Sequence, residues 1–353
     1  MYDVLVVGAG PSGSKTAQLC ALMGLKVLLI ERNKKVGVPV QCTGLFSHRI
    51  FELSGVSNKP LLNVVDKARF YSPNSQFLEL KSRKPAYVFD RKQFDLELFG
   101  FAKKAGAEAK VGTSFLEYRE KPGYLEVETS SGTFETKLLI GADGPNSSVA
   151  KAANIEVPQD LIVGYQETLH GDFNPDTVEL WFGKGTAPEF FGWVVPISRD
   201  TARVGIGASK SAQAYFRKFA EKRLGTPLEK GTIEGGIIRR GLIKRSATER
   251  VMLVGDAACQ VKPYSGGGVV YGLIGAKIVS NACFLSVKSG DFSEAFLTRH
   301  YDRQWKSQLS SGIRKGLLID WLAHKSPDWT LNFGAAVSKK FKFLLESMDM
   351  DLI

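Results

Sequence analysis

The feature that most constrains this chain is a glycine-rich turn, G-A-G-P-S-G at residues 8–13, set between two different hydrophobic periods. Before it, residues 2–7 (YDVLVV) are a short β-rich run. After it, SGSKTAQLCALMG reads as a helix ending at Gly24, a natural C-cap. LKVLLIE then supplies a second short apolar strand, so the opening predicts a β-α-β unit whose strands belong to a parallel sheet covered on both faces. Gly8, Gly10 and Gly13 permit a tight turn and close backbone approach. A helix opening on Pro11 and Ser12 offers free N–H groups to a pyrophosphate, and Glu31, at the end of the next strand and followed by Arg32, can bind a ribose diol. Strand, turn, helix, strand and acid together predict a bound dinucleotide without saying which.

Further along, residues 66–88 read as short strands, and 91–105 as a helix with Asp90 as N-cap. Segments 108–119, 123–129 and 133–141 read as a small meander. From about 160 to 209 strand patterns dominate, predicting a second, antiparallel sheet; an amphipathic helix follows at 211–224. VMLVGDAA at 251–258 is another buried strand entering a glycine-rich turn, with a helix from about 266 to 288 and a mainly helical tail from 292 broken at Pro327.

With 353 residues, 44% of them hydrophobic, the expectation is two domains sharing one cofactor. No apolar run reaches the roughly 18 to 20 residues that span a bilayer; the stretch from Val269 to Leu285 is broken by Gly, Lys and Asn. The strand at the very start leaves no room for a secretory signal, so a cytoplasmic protein is expected. The net charge of +11 suits an anionic membrane surface, a nucleic acid or an acidic protein, or simply a solvated basic surface. Cys20, Cys42, Cys259 and Cys283 lack metal-type spacing, and His48, His170, His300 and His324 have no partner at a recognisable spacing, so no metal site is expected.

Three later elements narrow the cofactor: VFDRKQFD at 88–95, LLIGADGPNSS at 138–148 and MLVGDAACQVKPYSGGGVVYG at 252–272. Their order and spacing resemble the flavoprotein group that includes aromatic hydroxylases, halogenases and geranylgeranyl reductases. The resemblance implies FAD, with the Gly255-Asp256 pair on the ribityl chain, the loop Pro263 to Gly268 (with Gly266, Gly267 and Gly268) along the isoalloxazine edge, and Arg91 and Asp143 near the cofactor. An arginine that commonly follows the Asp143 element is replaced by Ala150 and Lys151. The implied fold is α/β: a Rossmann-like FAD-binding domain with a parallel sheet (1–65, 86–155 and 250–290), an antiparallel-sheet substrate domain (66–85 and 156–249) and a helical C-terminal region (291–353).

Within that group, PVQCTGLFS at 39–47 and APEFFGWVVPISRDTARVGIG at 187–207 are similar to the geranylgeranyl reductases. The likeness implies that Phe191, Trp193 and Pro196 line a slot for a prenyl chain and that Cys42 sits near the reacting double bond or the flavin, as proton donor, disulfide former or space filler. It also implies a prenyl lipid or prenyl diphosphate substrate, no nucleic-acid partner, and an outside electron donor: NADPH, a ferredoxin or a deazaflavin. Basic surface and Trp305, Trp321 and Trp329 would rest on an anionic bilayer. Two departures bear on the substrate end: Gly235-Gly236-Ile237-Ile238 runs into Arg239 and Arg240 where such reductases place a proline, and the chain is shorter than many of them. A monooxygenase or halogenase on the same fold, and a non-catalytic prenyl-lipid carrier, are the alternatives.

Overall fold

The computed structural model describes residues 1–227, 234–325 and 327–332. The first sheet is built on the opening unit. Tyr2–Val7 lies between Val27–Glu31 and Gly132–Gly141, all parallel, with Glu108–Val111 and Val251–Leu253 extending the parallel run at its two ends. Both faces are covered, which is why Val4, Leu5, Val6, Leu28 and Leu29 carry no polar alternation and are essentially inaccessible. Helices Pro11–Leu22, Arg91–Lys104 and Val269–Ser289 form the covering layers. Each fully buried Val or Leu contributes about 1.5 to 3 kcal/mol relative to exposure.

The expected meander divides differently. Glu108–Val111 joins the parallel sheet, and only Phe115–Lys121, Tyr124–Thr129 and Gly132–Gly141 form the antiparallel hairpins. Thr113 and Gly112 break the run in two.

The second sheet has eight strands in the order Glu234–Arg240, Asp160–His170, Thr201–Ala208, Gly192–Pro196, Thr177–Trp181, Leu61–Tyr71, Phe77–Phe89 and Leu45–Phe46. Every pairing is antiparallel except Thr177–Trp181 with Leu61–Tyr71. The sheet takes strands from before residue 66, so the chain crosses between the two layers inside the segment first assigned to the cofactor domain. Helix Ala212–Leu224 packs Phe216 and Phe219 on one face of this sheet. The opposite face carries Phe190, Phe191, Trp193 and Val195 and looks toward the first layer.

Helix Val269–Ser289 is long and apolar enough to cross a bilayer by composition, but Val279, Ala282 and Cys283 on it are fully buried in the core. The long helix Arg303–Lys325 closes the fold by inserting Trp305 and Ile313 into the same core. Trp305 is therefore not available to a membrane: it is fully buried, and its indole N–H donates to Ser246 Oγ at 2.8 Å. The remainder of the expected helical region, 333–353, lies outside the described residues.

Candidate active site

One cavity of about 1260 Å³ runs from the glycine turn, between the two layers, to the apolar face of the second sheet. At its first end helix Pro11–Leu22 begins with no side chain capping its N-terminus, so the amides of the first turn are available to an anion. Gly8 has φ +99°, and a Cβ there would lie 2.5 Å from the Ala142 carbonyl oxygen; at Gly13 a Cβ would meet the Gly8 oxygen at 1.9 Å. Glycine at these positions lets strand, turn and helix touch. Gly10 has nothing within 4 Å of its missing Cβ and faces the cavity. Glu31 receives the Ala9 N–H on Oε2 at 2.8 Å and the Asn33 N–H on Oε1 at 2.9 Å, which fixes its carboxylate at the cavity wall beside exposed Arg32.

The second part of the wall comes from the strand Val251–Leu253 and the turn after it. Ser12 Oγ lies 2.4 Å from where a Gly255 Cβ would stand, so Gly255 packs the turn against the first helix rather than lining the cavity. Asp256 does line it, and its carboxylate accepts no hydrogen bond among the described residues. Desolvation raises its pKa to about 6, against a lowering influence from Arg91. A Cβ on Gly268 would lie 2.4 Å from Asp256 Oδ1, so a glycine there keeps the space before the carboxylate open. Gly266, Gly267 and Gly268 line the cavity; Pro263 is buried away from it, against Gly316 of the long C-terminal helix. Cys259 sits behind this loop, fully buried, with burial pushing its thiol up to about 12.

Asp143 also borders the cavity, yet its carboxylate is already used locally. It accepts from Ser147 Oγ at 2.6 Å, Ser148 N at 2.7 Å and Val149 N at 3.1 Å, and so shapes the entry to helix Ser148–Ala152. Arg239, one of the departures noted above, donates to the carbonyls of Pro145 (2.9 Å) and Pro158 and to Asn146 Oδ1 (3.3 Å), which anchors the same loop from the second sheet.

Where the two layers meet stand Arg91 and Cys42. Arg91 opens helix Arg91–Lys104 under the Asp90 cap, contacts both oxygens of Asp95 at 3.1 Å, and lies over the rings of Phe46 and Phe94. Burial works against its charge, but Asp95 and then Cys42 more than offset this and hold its pKa above the ordinary arginine value. Half-buried Cys42 accepts the Gly44 N–H at 3.4 Å. The loop that carries it is held by Arg203, whose Nη1 donates to the Thr43 and Phe89 carbonyls at 2.5 and 2.8 Å.

The far half is apolar. Phe191 stacks on Phe190 with centroids 4.3 Å apart and meets Trp193 edge-on at 6.0 Å, while Leu180, Phe182 and Val195 continue the wall. Pro196 is buried outside it; its carbonyl accepts from Asn63 Nδ2 at 2.9 Å. Sequence reasoning missed Gln166. It is 2% exposed, and its Oε1 accepts from Thr43 Oγ1 (2.7 Å) and Trp193 Nε1 (3.2 Å), while its Nε2 donates to Glu234 Oε2 (2.9 Å) and the Cys42 carbonyl (3.4 Å). One side chain thus ties the Cys42 loop to the aromatic wall. The only trace of it in the sequence is a polar residue at a buried position of a strand.

Residues 1–276 match the family described as "FAD binding domain". The digeranylgeranylglycerophospholipid reductase of Methanosarcina acetivorans is 31% identical over 99% of this chain and 90% of its own length. The chain belongs to the digeranylgeranylglycerophospholipid reductase family. The solved structure of a geranylgeranyl bacteriochlorophyll reductase-like protein from Thermoplasma acidophilum superposes with a TM-score of 0.87 at 26% identity, over 98% of this chain and 92% of that one. A flavin-dependent brominase, Bmp2, gives a TM-score of 0.75 at 17% identity over 98% of this chain and 93% of its own, a likeness of fold alone.

The resemblance read from the motifs is therefore borne out at the level of family, fold class and cofactor, and the chain is an FAD-dependent oxidoreductase. The site fits that cofactor. The uncapped helix start at Gly10 could hold the pyrophosphate, and Glu31 has lone pairs to spare for a ribose. Asp256 is a half-buried acceptor without a donor among the described residues, which ribityl hydroxyls would supply.

Proposed function

We propose that this chain saturates isolated C=C bonds in the geranylgeranyl or other prenyl chains of lipids or prenyl diphosphates. The observation that carries this reading is the continuity of one cavity, with dinucleotide-holding groups at one end, an aromatic and aliphatic wall at the other, and Cys42 where the two meet. An apolar slot gains about 0.8 kcal/mol for each CH₂ it buries, and a flat aromatic wall suits a polyprenyl chain. Reduced FAD supplies the hydride equivalent.

In this reading Gly10, Pro11 and Ser12 present the helix start to the pyrophosphate, Glu31 and Arg32 hold the adenosine end, Asp256 holds the ribityl chain, and Gly266, Gly267 and Gly268 leave room for the ring. An isolated alkene is electron-rich and accepts hydride poorly, so protonation must lead or accompany the transfer. The Cys42 thiol gives its proton to the carbon that does not take the hydride, and the thiolate left behind faces Arg91 until water reprotonates it. Phe191 and Trp193 hold the chain near attack distance and keep bulk water out. Turnover needs an outside reductant, for which NADPH, a ferredoxin and a deazaflavin are the candidates. A lipid substrate also requires access to a membrane from the cytoplasmic side.

The test is to incubate the dithionite-reduced protein, without oxygen, with a digeranylgeranyl phospholipid and to weigh the product. A gain of two mass units per reduced bond is expected. A product that forms only in air and gains oxygen would replace this reading by a monooxygenase.

A further inference from the structure

The outer face of helix Arg303–Lys325 changes chemistry along its length. Leu309, Ile313 and Asp320 are buried and define the inner face. At 3.6 residues per turn the opposite face presents Arg303, Ser307, Ser311, Arg314 and Lys315, all exposed, and then changes to Leu318, Ile319 and Trp321. Leu318 is 59% exposed and Trp321 56%, and Trp329, on the short helix that follows, is 68% exposed. Large side chains so exposed together within about one turn are uncommon on a solvated helix. Ile319 is exposed and also lines the cavity, as do Ala323, Thr330 and Leu331, so this apolar tip stands at the cavity's mouth.

We infer that the tip is a docking surface for an anionic lipid bilayer. Leu318, Trp321 and Trp329 enter the boundary between headgroups and acyl chains, and Arg314 and Lys315, one turn back on the same face, meet the lipid phosphates. Charge supports that occupant over a second copy of the chain: the residues behind the tip are basic and the whole molecule carries +11, so two copies repel where an anionic surface attracts. The surface also explains the position of the mouth, since a prenyl tail leaving the bilayer there reaches the apolar half of the cavity without crossing water. This inference rests on the prenyl-lipid reading above.

The experiment compares the FAD-loaded protein with its Trp321→Ser/Trp329→Ser and Arg314→Gln/Lys315→Gln variants in sedimentation with phosphatidylglycerol and phosphatidylcholine vesicles. Bound FAD and circular dichroism report that each variant is folded. The native protein is expected to bind phosphatidylglycerol vesicles at least tenfold more tightly than phosphatidylcholine ones. The tryptophan variant loses most binding to both, and the Arg/Lys variant loses the preference for anionic lipid. Reduction of a vesicle-borne digeranylgeranyl lipid falls in step with binding, while reduction of the same lipid in detergent is unchanged. Binding by the tryptophan variant equal to that of the native protein overturns the inference, as does a native dimer that the tryptophan variant makes monomeric. Vesicle binding as expected, with no reduction in either medium, leaves the docking surface standing and overturns the prenyl reading instead.

Discussion

At the scale of single residues, Gln166 and Asp256 make the sharpest claims. Replacing Gln166 with leucine strands the buried Trp193 Nε1 and the half-buried Thr43 Oγ1 and Glu234. Each buried polar group left without its partner costs about 1 to 3 kcal/mol. Gln166→Leu should lower thermal stability by several degrees and slow lipid reduction at least tenfold while FAD content stays near one per chain. Reduction at the native rate would remove Gln166 from the positioning of Cys42. Asp256 acts through its titration. Its folded pKa, near 6, lies above the ordinary value of 3.8, so between those two pH values the unfolded chain has released a proton that the folded chain still holds. The FAD-free protein therefore loses stability through Asp256 as pH rises from about 4 to about 6, by at most about 3 kcal/mol, and no further above that. Other carboxylates such as Asp3 and Asp176, whose pKa values are lowered, act in the opposite sense, so the readout is the difference between the native protein and Asp256→Asn. That difference should grow across this window in favour of the variant; a flat difference would mean that the carboxyl is not desolvated in the fold.

At the scale of elements, Arg240 is the joint between the second sheet and the helix at the cavity mouth. Its Nη1 donates to both oxygens of Asp320 at 2.9 and 2.7 Å and its Nη2 to Asp160 at 2.8 Å. Removing one partner of a buried pair leaves an uncompensated charge, worth about 3 to 5 kcal/mol. Arg240→Met should cost that much in denaturant unfolding, and Arg240→Met/Asp320→Leu should recover a large part of it. Additive losses would show that the pair does not act as a unit. These joints also mark the limit of what the sequence makes legible. The β-α-β opening is readable because its causes are local: three glycines, two uninterrupted apolar runs and an acid at a strand end. The split at Gly112 and Thr113 and the parallel pairing of Leu61–Tyr71 with Thr177–Trp181 depend on partners far along the chain, which no local period reveals. The same holds at the site. Gly10, Glu31, Cys42, Arg91, Asp256, Phe191 and Trp193 come together around one cavity. Pro196 and Pro263 carry motif positions but turn into the packing, and Asp143 spends its carboxylate on the turn that follows it. Gln166 was out of reach because its partners Thr43 and Glu234 lie 123 and 68 residues away.

At the scale of the whole molecule, two sheets of opposite character share one interior space. The parallel sheet ends in backbone turns that offer N–H groups and carboxylates, and the antiparallel sheet offers a broad apolar face; neither could join a charged cofactor to a prenyl chain alone. Cys42 and Arg91 sit at the seam, so the central claim is that electrons cross it from cofactor to alkene. The most direct test is a single turnover: protein with its FAD reduced, kept free of oxygen, is mixed with a digeranylgeranyl phospholipid while the flavin absorbance is followed. The account predicts that the lipid alone reoxidises the flavin, with one saturated bond formed per flavin, and that Cys42→Ala retains FAD but reoxidises at least a hundredfold more slowly. Flavin that stays reduced in the presence of the lipid until air is admitted would contradict it.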